Sequence, residues 1–132
     1  MVFPYDFGFV PSTLADDGDP IDILVLMEEP TFPGCVLDVR VLGVIEGEDE
    51  LEGDNPKGAT QRNDRLIGVA LASHSWADVK SIDDLPRQLL SHFQEFFAIY
   101  PRLLKGKVYR VLGCKGVEEA NRLIEKARQN AQ

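Results

Sequence analysis

Three apolar runs of strand length lie in the first 72 residues, and they constrain the fold more than any other feature. Residues 36–45 alternate apolar and polar side chains, as a strand with one buried face does. Residues 21–27 and 66–72 are almost continuously apolar, which predicts buried strands. Residues 2–13 combine aromatic side chains with prolines and predict an edge strand, and residues 107–112 predict a last strand.

Two helical patterns follow most of these strands. Leucine and phenylalanine recur every four residues from Leu85 to Phe97, behind an acidic, proline-containing segment that favours a helix start. Residues 117–130 carry acids in the first turn and bases in the last, which matches a helix dipole. Residues 46–63 are acidic and predict a solvated loop. This order predicts a single α+β domain over residues 1–132, with the helices on one side of a sheet or barrel.

Composition excludes several classes of function. Acidic residues outnumber basic residues by 22 to 14, giving a formal net charge of −8, and such a surface disfavours a nucleic-acid partner. The longest apolar runs are too short to cross a bilayer, and no leader pattern opens the sequence. We therefore expect a cytoplasmic protein without membrane contact. Cys35 and Cys114 are expected to be reduced thiols.

The segment 16–22 holds four aspartates in seven residues: Asp16, Asp17, Asp19 and Asp22. Carboxylates at this density repel one another unless cations neutralise them, and hard oxygen ligands suit Mg²⁺ or Mn²⁺ rather than zinc. Composition alone also fits a solvated turn. A calcium-binding EF-hand is excluded, because an aspartate stands where that loop needs glycine and a strand replaces its second helix.

The sequence DGDPID at 17–22, followed by ILVL, resembles the signature of the soluble family I inorganic pyrophosphatases. The likeness extends over nearly the whole chain, including the aromatic lead-in from Phe3, RNDRLIGVAL at 62–71 and HFQEFFAIY at 92–100. It implies an OB-like five-stranded β-barrel with two C-terminal helices packed outside. The implied reaction is Mg²⁺-dependent hydrolysis of pyrophosphate to two phosphates.

The resemblance assigns roles to individual carboxylates. Asp17, Asp22 and Asp49 match metal ligands of the family, and Asp19 matches the base that deprotonates a water held between two metals. Two metals would lower the pKa of that water, so that a carboxylate is a sufficient base.

The resemblance also assigns the groups that bind pyrophosphate and phosphate. Arg65 stands where the family places a lysine that grips phosphate, and a guanidinium can do so with two hydrogen bonds. Tyr100 matches a tyrosine that hydrogen-bonds the leaving phosphate. The lysine that follows it in the family is Pro101 here, and Arg102 is the candidate to compensate.

Further departures weaken the match at particular positions. A metal-binding aspartate of the family is replaced by Asn63, with Asp64 adjacent, and the sequence leaves open which of the two serves as metal ligand. A phosphate-binding tyrosine is replaced by Phe7, and the acidic loop at 51–62 is longer than in compact members.

The family carries an amino-terminal stretch that precedes the residues present here, with barrel strands and further metal and phosphate ligands. Its absence predicts either a start assigned to an internal Met1 or a shortened homologue. Because an open barrel edge needs covering, we expect a homo-oligomer. The missing cationic groups predict weak hydrolysis or none. The alternative function is a catalytically impaired homologue that binds metal and phosphate or acts as an assembly module.

Overall fold

The computed structural model describes residues 5–16, 18–27, 36–50, 58–95 and 109–132, and their side chains from residue 8 onward. One mixed sheet contains the strands β1 (Tyr5–Phe9), β2 (Asp22–Leu26), β3 (Val39–Glu50), β4 (Thr60–Arg62), β5 (Arg65–Ala70) and β6 (Tyr109–Lys115). A 3-10 turn (Ile82–Asp84) precedes helix α1, which includes residues 87–95, and helix α2 (Val117–Asn130) follows the last strand.

Strand β3 is the centre of the sheet. Its twelve residues pair antiparallel with β5 and then β4 along one edge, and with β6 along the other. Strand β2 lies parallel to β5, and β1 lies antiparallel to β2 at the far side. The sheet is therefore five positions wide, because β4 and β5 share one edge of β3.

The α+β class is confirmed, whereas an OB-like five-stranded barrel is not. Six strands occur among the described residues, in the order β1-β2-β5-β3-β6, with β4 following β5 along the same edge of β3. Across the part of the chain that the structure describes, β1 and β6 do not pair, so the sheet is not closed.

The sheet has an apolar cluster on each face, because successive side chains of a buried strand point in opposite directions. Leu24 and Leu26 of β2 pack in one cluster with Phe93 of α1. Ile23 and Val25 of the same strand pack in the other cluster, which includes two alanines of α2, Ala120 and Ala127. The two helices thus cover opposite faces, and the expectation that they lie on one side is wrong.

The predicted solvated loop at 46–63 is also wrong at both ends. Strand β3 continues to Glu50 and β4 begins at Thr60, while residues 51–57 lie outside the described part. Glycine and acidic residues have low strand propensity, but here β4 and β6 pair with β3 on both edges. Backbone pairing therefore overrides local propensity. Of the helices described, none is long and apolar enough to cross a membrane.

We expect Gly43→Ala to destabilise the fold by about 1–3 kcal/mol, the usual cost of overpacking a core. An added Cβ would lie 2.5 Å from the main-chain oxygen of Lys115 and 2.7 Å from Cγ2 of Ile82. Gly113→Ala in β6 is the matched control, because nothing lies within 4 Å of its added Cβ. Chemical denaturation measures both free energies of unfolding, and equal values for the two variants would contradict this packing.

Candidate active site

The parallel pair of β2 and β5 brings opposite charges together at one end of the sheet. Ile23 is in register with Leu66, so the preceding residues, Asp22 and Arg65, begin the two strands side by side. Oδ2 of Asp22 lies 4.0 Å from Nε of Arg65. The Asp22 side chain is 50% exposed and that of Arg65 only 16%. The carboxylate is therefore accessible to solvent, while the guanidinium is held largely within the protein.

The far end of β3 adds a second carboxylate. Asp49 is in register with Gln61 on one neighbouring strand and with Tyr109 on the other. Nδ2 of Asn63 donates a hydrogen bond of 2.9 Å to Oδ2 of Asp49. The main-chain oxygen of Asn63 in turn accepts a hydrogen bond of 2.8 Å from the Tyr109 hydroxyl. Three strands therefore fix the position of Asp49.

Tyr109 connects these contacts to Arg65. It is 2% exposed, and the central carbon of the Arg65 guanidinium lies 4.6 Å from the centre of its ring. Burial raises the pKa of Tyr109, and nearby Asp64 and Asp49 act in the same direction while Arg65 opposes them. The phenol is thus neutral at physiological pH and serves as a hydrogen-bond donor.

Asp64 is held by neighbours of its own. Its Oδ1 accepts hydrogen bonds from the main-chain N–H of Gly47 at 3.0 Å and from Nε of Arg62 at 3.1 Å. Its Oδ2 accepts from Nη2 of Arg62 at 3.0 Å, and the same nitrogen reaches Glu46 at 3.1 Å. Burial would lower the pKa of Arg62, but Asp64 and Glu46 outweigh it and raise that pKa. These bonds fix the corner between β4 and β5.

A tight turn leads into β2 and carries Asp19. The buried Thr13 hydroxyl donates to the main-chain oxygen of Val10 at 2.6 Å and accepts from the N–H of Ile21 at 3.2 Å. The N–H of Ala15 donates to the main-chain oxygen of Asp19 at 2.8 Å. The acidic segment is therefore closed by internal hydrogen bonds before it reaches the sheet.

The carboxyl end of α2 supports the same turn. The N–H of Leu14 donates to the main-chain oxygen of Ala127, and Nδ2 of Asn130 donates to the oxygen of Leu14 at 3.3 Å. Nζ of Lys126 lies 3.5 Å from Oδ1 of Asp16. Helix α2 thus packs on the sheet and also positions the start of the acidic segment.

The predicted site residues divide into those that the structure describes and those that it does not. Asp22, Asp49, Asp64 and Arg65 belong to the contacts described above, and Asp19 lies on the adjoining turn. The remaining predictions, Asp17, Tyr100, Arg102, Phe7 and Pro101, fall where side chains lie outside the described part.

The donors at this end of the sheet fit a hard divalent cation by their chemistry, because they are carboxylate oxygens. Within the described ranges, no three histidine, cysteine, aspartate or glutamate side chains are grouped so that they could hold a metal ion. Asp17, expected to be one of the three principal ligands, is outside those ranges.

Sequence reasoning missed Tyr109 and its neighbour Gly47. A Cβ on Gly47 would lie 2.1 Å from the Tyr109 hydroxyl oxygen, so the ring occupies space that only glycine leaves. The available signal was a glycine within a segment predicted as an acidic loop, together with one aromatic residue in the last predicted strand. Neither signal shows that the two residues are in contact, because they are 62 residues apart in the sequence.

Comparisons with known proteins extend over the same residues. Residues 1–132 match the family model of inorganic pyrophosphatase. The chain is 42% identical over 128 residues to the inorganic pyrophosphatase of Synechocystis sp., covering 97% of this chain and 70% of that protein. It is 40% identical over an alignment of 134 positions to that of Geobacillus stearothermophilus, covering 100% of this chain and 75% of that protein.

Solved structures agree in fold. An inorganic pyrophosphatase from Coxiella burnetii superposes with a TM-score of 0.85 at 34% identity, covering 100% of this chain and 74% of that one. The inorganic pyrophosphatase from Thermus thermophilus gives a TM-score of 0.83 at 35% identity, covering 98% and 70%. The sequence match over residues 1–132 and the fold of the described residues both agree with the resemblance of the acidic signature, and the chain belongs to the inorganic pyrophosphatase family.

Proposed function

We propose that this chain is a hydrolase that converts inorganic pyrophosphate into two phosphates. The observation that carries the proposal is the placement of an exposed carboxylate, Asp22, beside a largely buried guanidinium, Arg65, at one end of the sheet. Carboxylates attract cations and the guanidinium attracts phosphate, so both partners of such a reaction have a counterpart there. Membership of the inorganic pyrophosphatase family supports the same reaction.

Arg65 is the group that we assign to the phosphates of the substrate. A guanidinium donates two parallel hydrogen bonds to phosphate oxygens, which fixes orientation as well as binding. Tyr100 and Arg102 are assigned to phosphate as well, on the family resemblance alone. Phe7 and Pro101 lack the phosphate-binding groups that the family has at these positions, and the reduced rate of hydrolysis expected from this stays a prediction.

The family depends on metal ions, and we assign Mg²⁺, with Mn²⁺ as a substitute, to Asp17, Asp22 and Asp49. Bound cations of this kind neutralise phosphate charge and acidify a coordinated water. Asp19 is assigned as the base that accepts the proton of the attacking water. Its place on a turn closed by hydrogen bonds supports that role, because a general base must be held at a fixed distance from the water.

The contacts favour Asn63 over Asp64 as the residue that completes the site around Asp49. Asn63 donates directly to Asp49, whereas both oxygens of Asp64 accept hydrogen bonds from Arg62, one of them also from Gly47. We therefore assign Asp64 to holding the corner between β4 and β5. Its role as a metal ligand stays a prediction with less support.

Three further expectations from the sequence concern the barrel, the oligomeric state and the location of the protein. We propose an incomplete OB-like barrel, because the register of β3 shifts twice and such irregularities bend a strand as barrel closure requires. We propose a homo-oligomer, since Phe9 on β1 and Leu112 on β6 are large apolar residues left exposed on strands at the two sides of the sheet. We propose a location in the cytoplasm.

Asp19→Asn should lower the rate of phosphate release from pyrophosphate at least about 10²-fold, because an amide cannot accept the proton. Asp16→Asn is the matched control. This variant removes a neighbouring carboxylate that forms an exposed ion pair with Lys126. Because exposed ion pairs contribute little, the rate should stay within about twofold of wild type.

A phosphate-release assay with saturating Mg²⁺ measures both variants. Wild-type activity in the Asp19→Asn variant would contradict its assignment as the base. A chain that binds Mg²⁺ but releases no phosphate would overturn the hydrolase and leave the metal-binding alternative.

Asp49→Asn and Asp64→Asn should change different properties of the chain, the first its Mg²⁺ affinity and the second its stability. Asp49→Asn should weaken Mg²⁺ binding in calorimetric titration by about tenfold or more with little change in stability, because a neutral amide replaces a charged ligand. Asp64→Asn should leave Mg²⁺ affinity unchanged and lower the free energy of unfolding by about 1–3 kcal/mol, since it weakens charge-assisted hydrogen bonds to Arg62. Reversal of these two effects would make Asp64 the ligand.

A further inference from the structure

We propose that Tyr109 is a positioning residue that holds Arg65 in the orientation in which it binds phosphate. The inference rests on the proposed function, since it concerns the guanidinium assigned there to the substrate. Tyr109 itself is buried at 2% exposure and is not placed in contact with substrate. Its effect is exerted through Arg65.

The first argument is the contact between the two side chains. The guanidinium carbon of Arg65 lies over the Tyr109 ring at 4.6 Å from its centre, within the range of a cation–π interaction. All donors of a guanidinium lie in its own plane. Packing against a ring face therefore restrains the group without using the hydrogen bonds that a phosphate needs.

The second argument is that the ring is itself fixed. Its hydroxyl donates to the main-chain oxygen of Asn63 at 2.8 Å. On the opposite strand, Gly47 leaves the space that the ring end fills, since a Cβ there would lie 2.1 Å from the hydroxyl oxygen and 2.2 Å from Cζ. A ring held at its hydroxyl end cannot follow a moving arginine, so it acts as a rigid support.

The third argument is the cost of ordering a long side chain. A free arginine samples many rotamers and loses that freedom when it binds phosphate. A largely buried guanidinium that packs on the Tyr109 ring has lost much of that freedom before the substrate arrives. Affinity for a diphosphate is therefore higher than the same arginine would give if it were mobile.

The test compares three single variants of the full chain. Tyr109→Leu removes the ring, Tyr109→Phe keeps the ring and removes only the hydroxyl, and Val111→Ala truncates another side chain of β6 that packs on the core. Calorimetric titration with methylenebisphosphonate, a diphosphate that cannot be hydrolysed, measures binding in the presence of Mg²⁺. Thermal unfolding and the KM and kcat for pyrophosphate are measured on the same samples.

We expect Tyr109→Leu to weaken bisphosphonate binding about tenfold and to raise KM by a similar factor, with a smaller change in kcat. Tyr109→Phe should cause a smaller loss of affinity than Tyr109→Leu, because the ring is retained while its hydroxyl anchor on Asn63 is lost. Val111→Ala should lower the unfolding temperature and leave the affinity unchanged. In an Arg65→Ala background, Tyr109→Leu should cause no further loss of affinity, because the group that it positions is gone.

Gly47→Ala provides a second route that keeps the tyrosine. The added Cβ displaces the ring, so affinity should fall as in Tyr109→Leu. The double variant Gly47→Ala/Tyr109→Leu should recover stability relative to Gly47→Ala, because the collision is relieved, but it should not recover affinity. This pair keeps the test open if Tyr109→Leu fails to fold.

The outcomes separate this inference from the proposed function. Wild-type affinity in Tyr109→Leu or in Gly47→Ala would overturn it, and so would a tenfold loss that persists without Arg65. A chain that binds bisphosphonate with the expected pattern but does not hydrolyse pyrophosphate would support the positioning role while it overturns the hydrolase.

Discussion

The parallel pairing of β2 with β5 is the constraint on which the rest of the site depends. Parallel strands begin at the same edge of a sheet, and in this register the first residues of the two strands are Asp22 and Arg65. A shift of β2 by one residue against β5 would turn Asp22 to the other face of the sheet and separate it from Arg65. The apolar clusters on both faces of β2 prevent such a shift, because it would exchange the contacts of every buried side chain. Core packing thus fixes the juxtaposition of a cation with a carboxylate.

The long central strand extends this arrangement to a third position along the sheet. Residues of β3 near Ile45 pair with Arg65, and residues near Asp49 pair with Tyr109. A strand of twelve residues can do both only if its neighbours change along its length, as they do where β5 gives way to β4. Gly47 lies between the two regions, and its missing side chain lets the Tyr109 ring enter. The acidic end of β3 therefore forms regular strand, although its composition is typical of a loop.

How much the sequence could predict follows from which interactions are local. The strand after the acidic segment and the helix at 117–130 were predictable, because apolar runs and terminal charges act within a few residues. The extension of β3, the opposite placement of the helices and the fit of Tyr109 against Gly47 depend on pairing between distant residues, which no local pattern records. The acidic signature identified Asp22 by resemblance, but only the register of two strands shows that Arg65 is its neighbour.

The carboxylates of this acidic chain differ in what their surroundings allow them to do. Asp64 has an arginine on both oxygens and a backbone N–H on one, so a cation would have to displace bonds that hold a corner of the sheet. Asp22 lies at 4.0 Å from Arg65 and is half exposed, so its attraction to that arginine is weak and screened by water. Asp49 has only a neutral amide donor assigned to one oxygen. Binding of a divalent cation therefore costs less at Asp49 than at Asp64, and this order follows from their neighbours although the two side chains are chemically identical.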